Sequence, residues 1–216
     1  MLIAEARWLS ERLAEIEAIS PLLHVGSASE DFRVRGQPWI DEMVFRPLRA
    51  RGVSVVHVDA QAARGVDVVG DLTDPDCLAR LREEAPRSIL CSNLLEHLRD
   101  RGPLCQAMVD ILPASGWLLV TVPFRYPYHA DPIDTMYRPD VRELAATFPG
   151  TRLVRGDVVR CGTWWDYVAT SPRAVLMTLI RLCTPWRSPR SWFTAVCHVP
   201  WIFRRFEATC VVLQKV

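Results

Sequence analysis

What most constrains this chain is an alternation: short apolar runs, each closed by a turn signal, are separated by helix-compatible segments that open at or near a proline. The runs at 22–26, 53–59, 66–71, 89–93 and 117–123 are too short for helices and carry too little polar alternation for a half-solvated sheet, so they read as strands buried on both faces. Between them, 39–51, 75–84 and 103–112 read as helices. A proline at the first helical position fits because the N–H it lacks would have no partner there. Strand and helix in turn predict a parallel sheet with helices on both faces. Beyond Pro123 a loop rich in proline and tyrosine leads to a helix at 139–147, a strand at 152–159 and a last strand at 207–214. Leu2, Ala6, Leu9, Leu13 and Ile16 recur at helical spacing until Pro21 ends the pattern, which predicts an amphipathic helix over 1–20 that packs on the sheet edge or on a partner.

Bulk composition excludes little else. At 216 residues the chain suits a single domain, 1–216, with enough core to need neither disulfides nor structural metal. Its 26 basic and 25 acidic residues give no global pull toward nucleic acid. The first residues carry acids throughout and lack a basic start before an apolar core, so the expected location is cytoplasmic. Seven scattered cysteines with no C-x-x-C pair read as reduced, mostly buried, small apolar residues. The segment 163–206 is an insertion on this pattern: from Tyr167 to Phe206 it holds six arginines and no acid, mixed with tryptophans and apolar residues. Two readings stay open for it. It is a lid or homodimer interface with solvated arginines, or a peripheral contact, 167–206, with an anionic membrane or a phosphorylated acceptor.

In an open parallel sheet, ligands sit beyond the carboxyl ends of the strands. Gly26 stands at such an end, in His24-Val25-Gly26-Ser27-Ala28-Ser29-Glu30, which keeps the first glycine of a Gly-x-Gly-x-Gly loop; a plain turn glycine is the alternative. Asp59 closes the second strand, where an acid can accept from both hydroxyls of a ribose, or else cap a turn. Asp71 with Leu72 closes the third, where an adenine amino group and ring face need an acceptor and an apolar contact.

On these stretches, HVGSAS, VVHVDAQ, VVGDLTDP, SILCSNLLEHL and LPASGWLLVTVPFRYPYHADPIDTMYRP, the chain resembles the class I S-adenosylmethionine-dependent methyltransferases over about 22–160 and the final strand. The resemblance implies a Rossmann-like, doubly wound α/β fold, a mostly parallel seven-stranded sheet with an antiparallel last strand, bearing the N-terminal helix and the helical insertion. It implies S-adenosylmethionine as cofactor, with Gly26 and Ser27 lining its methionine part, Asp59 on the ribose, Asp71 and Leu72 at the adenine, and Asn93 and Leu94 as the floor beneath the sulfonium. His24 departs from the family's acid at that place, and the glycine loop is reduced to one glycine. Glu96 and His97 match the family's Leu-Glu-His habit, though helix-start residues also serve capping and packing.

Methyl transfer to a hydroxyl needs alignment and removal of a proton. The loop after the fifth strand, Pro123 to Asp134, lies at the same edge as Gly26. His129 is its one side chain with an ordinary pKa near neutrality, so it is the candidate general base, oriented by Asp134 or Asp131. An equal alternative is that His129, Asp134 and Arg138 form a network that holds the loop shut. A third is that His129, Asp131 and Asp134 ligate a divalent ion, although no metal is included in the preferred site. Tyr126 and Tyr128 offer stacking faces to a small-molecule or glycan acceptor, with Arg138 as a further contact. The expected activity is therefore O-methylation of a small molecule or a glycan or natural-product intermediate. The competing class is a non-catalytic, methyltransferase-like binding or scaffolding protein. A nicotinamide-dependent oxidoreductase fits less well, since no Tyr-x-x-x-Lys pair is present. Nucleic-acid methylation fits less well because Asn93-Leu94-Leu95 lacks a Pro-Pro-aromatic run.

Overall fold

The computed structural model describes residues 1–129, 133–163, 166, 172–189, 192, 193, 196, 201 and 203–216. In chain order its elements are α1 (Ile3–Glu15), β1 (Leu22–Val25), a π-helical turn (Phe32–Gly36), α2 (Pro38–Ile40), a second π-helical turn (Asp41–Phe45), α3 (Arg46–Ala50), β2 (Val55–Asp59), β3 (Val68–Val69), α4 (Pro75–Glu83), β4 (Ser88–Ser92), a 3-10 turn (Leu95–His97), α5 (Gly102–Ile111), β5 (Trp117–Arg125), α6 (Val141–Ala146), β6 (Thr151–Thr163), α7 (Pro172–Cys183) and β7 (Arg205–Lys215). The strands form one seven-stranded sheet in the order β3-β2-β1-β4-β5-β7-β6. β1, β2, β3, β4 and β5 are parallel, and β7 runs antiparallel to both β5 and β6. This is the Rossmann-like sheet expected, and its order reverses between β1 and β4, where such sheets open a crevice.

Side-chain alternation along the central strands divides the core. Leu23, Val25, Ile89, Cys91, Leu118, Val120 and Val122 face α4, α5 and α6. Leu22, Leu90 and Leu119 face α1 and the helical stretch that ends in α3. Each such leucine, buried completely, contributes roughly 1.5–3 kcal/mol of transfer free energy, so the sheet is fixed from both sides. Local caps agree with the tertiary placement. The Asp74 side chain accepts from Asp76 N (2.9 Å) before Pro75 opens α4. Asp140 and Glu143 form a reciprocal capping box at α6.

Several boundaries differ from expectation. Helical backbone begins at Glu30, not Trp39; Phe32 N donates to the Ser29 hydroxyl (3.2 Å), and the wide turns that follow carry no 3.6-residue apolar period to read. The third strand pairs over two residues only; before it Asp67 donates its N–H to His57 O (2.8 Å) while its carboxylate accepts from His57 N (2.8 Å). The N-terminal helix lies over one face of the sheet toward β7 and β6, with Ala6 and Leu9 packed among Leu119, Cys210 and Val212. Among the described cysteines, Cys77, Cys91, Cys105, Cys161 and Cys210 are buried as expected and Cys183 is exposed.

Candidate active site

A cavity of about 530 Å³ opens at the carboxyl ends of β1, β4 and β5. Gly26, Ser27 and Ala28 form one wall, Ser92 and Asn93 the floor, and Pro123, Tyr126 and His129 the far side; Met1 and Leu2 reach it from above α1. Gly26 turns the chain at φ +71°, and a Cβ there would stand 3.0 Å from Leu94 Cδ2. Both the conformation and the close approach require glycine, while Leu94 lies behind the loop.

The loop is held by two residues in place of the absent glycines. Asp59 accepts from Ala28 N (2.8 Å) through one carboxylate oxygen and from Gln61 N (3.0 Å) through the other. Arg33, 5% exposed, donates to Ser27 O (3.0 Å), Ala28 O (2.6 Å) and Gly65 O (2.7 Å). Three backbone carbonyls thus converge on one guanidinium, which fixes the loop and brings positive charge to the cavity wall. His24, where an acid was the family expectation, is buried beside it with Nδ1 3.1 Å from Nδ1 of His57. Burial, followed by the neighbouring His57 and Arg33 charges, holds the His24 pKa well below its usual value, so the ring is neutral.

At the other end of the cavity, the carboxylate of Glu5 is completely buried. It receives Leu2 N (2.8 Å), the Asn93 amide (2.7 Å) and the Thr121 hydroxyl. Beyond it the 3-10 turn presents Glu96 and His97. Glu96 is 1% exposed, and its Oε2 is buried without a hydrogen-bond partner; burial, reinforced by the charge of Glu5, pushes its pKa up to about 7. His97 Nδ1 lies 2.6 Å from Ile133 O, so that nitrogen carries the proton and Nε2, 3.8 Å from Glu96 Oε1, presents its lone pair. His129 stacks edge-on against His97 (centroids 5.1 Å) and Tyr126 (5.8 Å).

Of the residues singled out from sequence, Gly26, Ser27, Asn93, Tyr126 and His129 line the cavity together. Asp59 braces the loop from behind. Asp71 accepts from Thr73 N (2.8 Å) at an exposed turn, and Leu72 is packed in the core. Tyr128 is 51% exposed. Asp134 is taken up by Arg138 in a two-pronged pair (3.1 and 2.6 Å) and also accepts from Met136 N (2.8 Å) and His129 N (3.3 Å); these bonds hold its carboxyl below the usual range, despite the burial that opposes them. Asp134 and Arg138 therefore hold the loop beneath His129, with the Asp134 carboxylate 3.8 Å from its Nε2. Asp131 lies outside the described residues, as do Trp164, Trp165, Tyr167 and Arg190 of the insertion. Sequence reading missed Glu5 and Arg33. The one signal for Glu5 was an acid on the apolar stripe of α1; Arg33 had none.

No family model and no curated protein matches the chain, but solved structures do. A putative sarcosine dimethylglycine methyltransferase from Galdieria sulphuraria superposes over 97% of this chain and 84% of its own, with a TM-score of 0.58 at 14% identity. Geranyl diphosphate methyltransferase, in complex with GPP and sinefungin, covers 99% and 78% (TM-score 0.57, 11% identity). The [4+2]-cyclase SpnF covers 97% and 81% (TM-score 0.57, 13% identity). With its strand order, its antiparallel β7 and its crevice at the carboxyl edge, the chain has the fold of the class I S-adenosylmethionine-dependent methyltransferases.

Proposed function

We propose that the protein is an S-adenosylmethionine-dependent methyltransferase acting on a hydroxyl of a small molecule or glycan intermediate. The observation that carries this reading is one cavity with two chemically different ends: a clamped glycine-turn loop, and a wall of ionisable side chains. Gly26, Ser27 and Asn93 cradle the methionine part of the cofactor. Asp59 keeps lone pairs on both oxygens for the ribose hydroxyls, since each oxygen accepts one bond in the protein. Asp71 stands toward the adenine. The sinefungin seated in geranyl diphosphate methyltransferase supports this cofactor class.

In the reaction the acceptor oxygen attacks the sulfonium methyl in line. The C–S bond breaks as the C–O bond forms, S-adenosylhomocysteine leaves, and the hydroxyl proton passes to His129. Its imidazole is the basic group on the cavity wall set by a clamped loop, with Asp134 as a positioning residue. Tyr126 supplies an aromatic face to the acceptor. The fold alone does not decide activity, and a scaffold with an eroded loop is the competing reading.

Calorimetric titration of the full chain with S-adenosylhomocysteine tests the cofactor site; one equivalent of binding is expected. Absence of heat with both S-adenosylhomocysteine and S-adenosylmethionine would leave the scaffold reading. For catalysis, release of S-adenosylhomocysteine is followed with a panel of phenols and sugars. His129→Ala should lower turnover by roughly 10²–10⁴-fold while S-adenosylhomocysteine affinity stays within about twofold. Unchanged turnover removes His129 as the base.

A further inference from the structure

We propose that Glu96, His97 and His129 form a binding site for a first-row divalent transition ion, zinc foremost, on the acceptor wall of the cavity. One ligand atom from each lies within 4.8 Å of the others, and all three residues line the cavity, so coordination positions not filled by protein open onto it. Two imidazoles and one carboxylate suit zinc and its neighbours; magnesium and calcium prefer oxygen alone.

Three independent features prepare the donors. Glu96 is 1% exposed and its Oε2 has no hydrogen-bond partner, an arrangement that is costly unless a cation or donor completes it. His97 gives its Nδ1 proton to Ile133 O, the usual second contact of a metal-bound histidine, which leaves Nε2 aimed as a ligand. Thr135 bonds Glu96 O through both its N–H and its hydroxyl (2.9 Å each), so the turn and the loop after His129 are already joined. Tetrahedral zinc at ~2.1 Å from its ligands places them roughly 3.4 Å apart. The three donors would therefore have to close from within 4.8 Å as the ion enters. The donor set differs from the His129, Asp131 and Asp134 set weighed from sequence, because Arg138 already occupies Asp134. With an ion bound, His129 would be a ligand and no longer a free base, and the ion would take over that part by polarising an acceptor oxygen at its open position and lowering the hydroxyl pKa.

The site does not depend on cofactor binding, so the test is made without S-adenosylmethionine. The chelator-treated full chain is titrated with Zn²⁺ by calorimetry and with Co²⁺ by visible absorption. The expected result is one equivalent, a cobalt spectrum of nitrogen and oxygen ligation, and at least tenfold weaker binding in both Glu96→Gln and His97→Gln, with unchanged circular dichroism confirming their fold. The proposal is overturned by no stoichiometric binding, by a sulfur-to-cobalt charge-transfer band that places the ion at cysteine, or by binding unchanged in the two variants. If one variant does not fold, the other and the cobalt spectrum of the native chain still decide.

Discussion

Glu5 shows how much a single side chain can tie together here. Its carboxylate, fully buried, takes hydrogen bonds from Asn93 at the end of β4 and Thr121 on β5, residues 88 and 116 positions away. Replacing it with alanine strands the amide, the hydroxyl and Leu2 N, each costing about 1–3 kcal/mol when buried unpaired. Glu5→Ala is therefore expected to lose about 3–5 kcal/mol in urea unfolding, and Glu5→Gln, which keeps the volume and one acceptor oxygen, about half as much. A loss below about 1 kcal/mol in the alanine variant would mean that water replaces the carboxylate freely. The same separations explain what the sequence could not disclose. Gly26 is legible because a strand-end glycine is a local signal, and Asp59 because an acid closes the next strand. The arginine that substitutes for missing glycines, Arg33, acts through three carbonyls, one of them on Gly65, and nothing in FRVRG marks it. Asp134 was legible as a partner of His129, but that Arg138 claims both of its oxygens depends on how the loop folds back.

At the scale of elements, β1 and β2 are joined by more than their ladder. His24 and His57 stand opposite each other in register, and one ring donates its Nδ1 proton to the other. Burial pushes His57 down to about 4, with the Arg33 charge next; Arg49 acts in the same sense, while Asp67 and Asp41 oppose it. His24 is lowered further, again chiefly by burial. In the unfolded chain both take up protons as pH falls through 6.5; in the folded chain they do not. The unfolded state binds more protons across that window, so stability is present above pH 6.5 and is lost as pH falls toward 4. For His57 the shift corresponds to on the order of 3 kcal/mol. Urea midpoints at pH 7.5 and 4.5 should fall more steeply for the native chain than for His57→Gln; parallel slopes would assign acid sensitivity to other groups. Strands of this kind were readable because short apolar runs closed by turn signals need no tertiary partner to be recognised. The helical stretch from Glu30 was misplaced because its turns are stabilised by Arg33 and the sheet and not by their own periodicity.

At the scale of the whole molecule, α1 links the cavity to the far end of the sheet. Met1 and Leu2 line the cavity, Glu5 ties the first turn to β4 and β5, and Trp8 donates to Asp157 on β6 (2.9 Å). Trp39 in turn donates to Met1 O (3.0 Å), so the helix start is pinned between the sheet and the stretch that carries Arg33. On the opposite account, α7 leaves Leu176, Met177, Leu179 and Ile180 exposed; among the described residues no helix is long and apolar enough to cross a membrane. A ligand that fills the cavity and contacts Met1 or Leu2 should therefore couple to α1. Binding to the native state alone adds RT ln(1 + [L]/Kd), about 2.7 kcal/mol at a hundredfold excess over Kd. Part of that should appear as suppressed local opening of α1. Hydrogen exchange of the full chain with and without saturating S-adenosylhomocysteine is expected to slow amides of residues 3–9 and of the 26–28 loop together, and Glu5→Gln should uncouple the two by slowing the loop only. If the loop is protected in the native chain while α1 exchanges as before, the helix caps the sheet without taking part in the site.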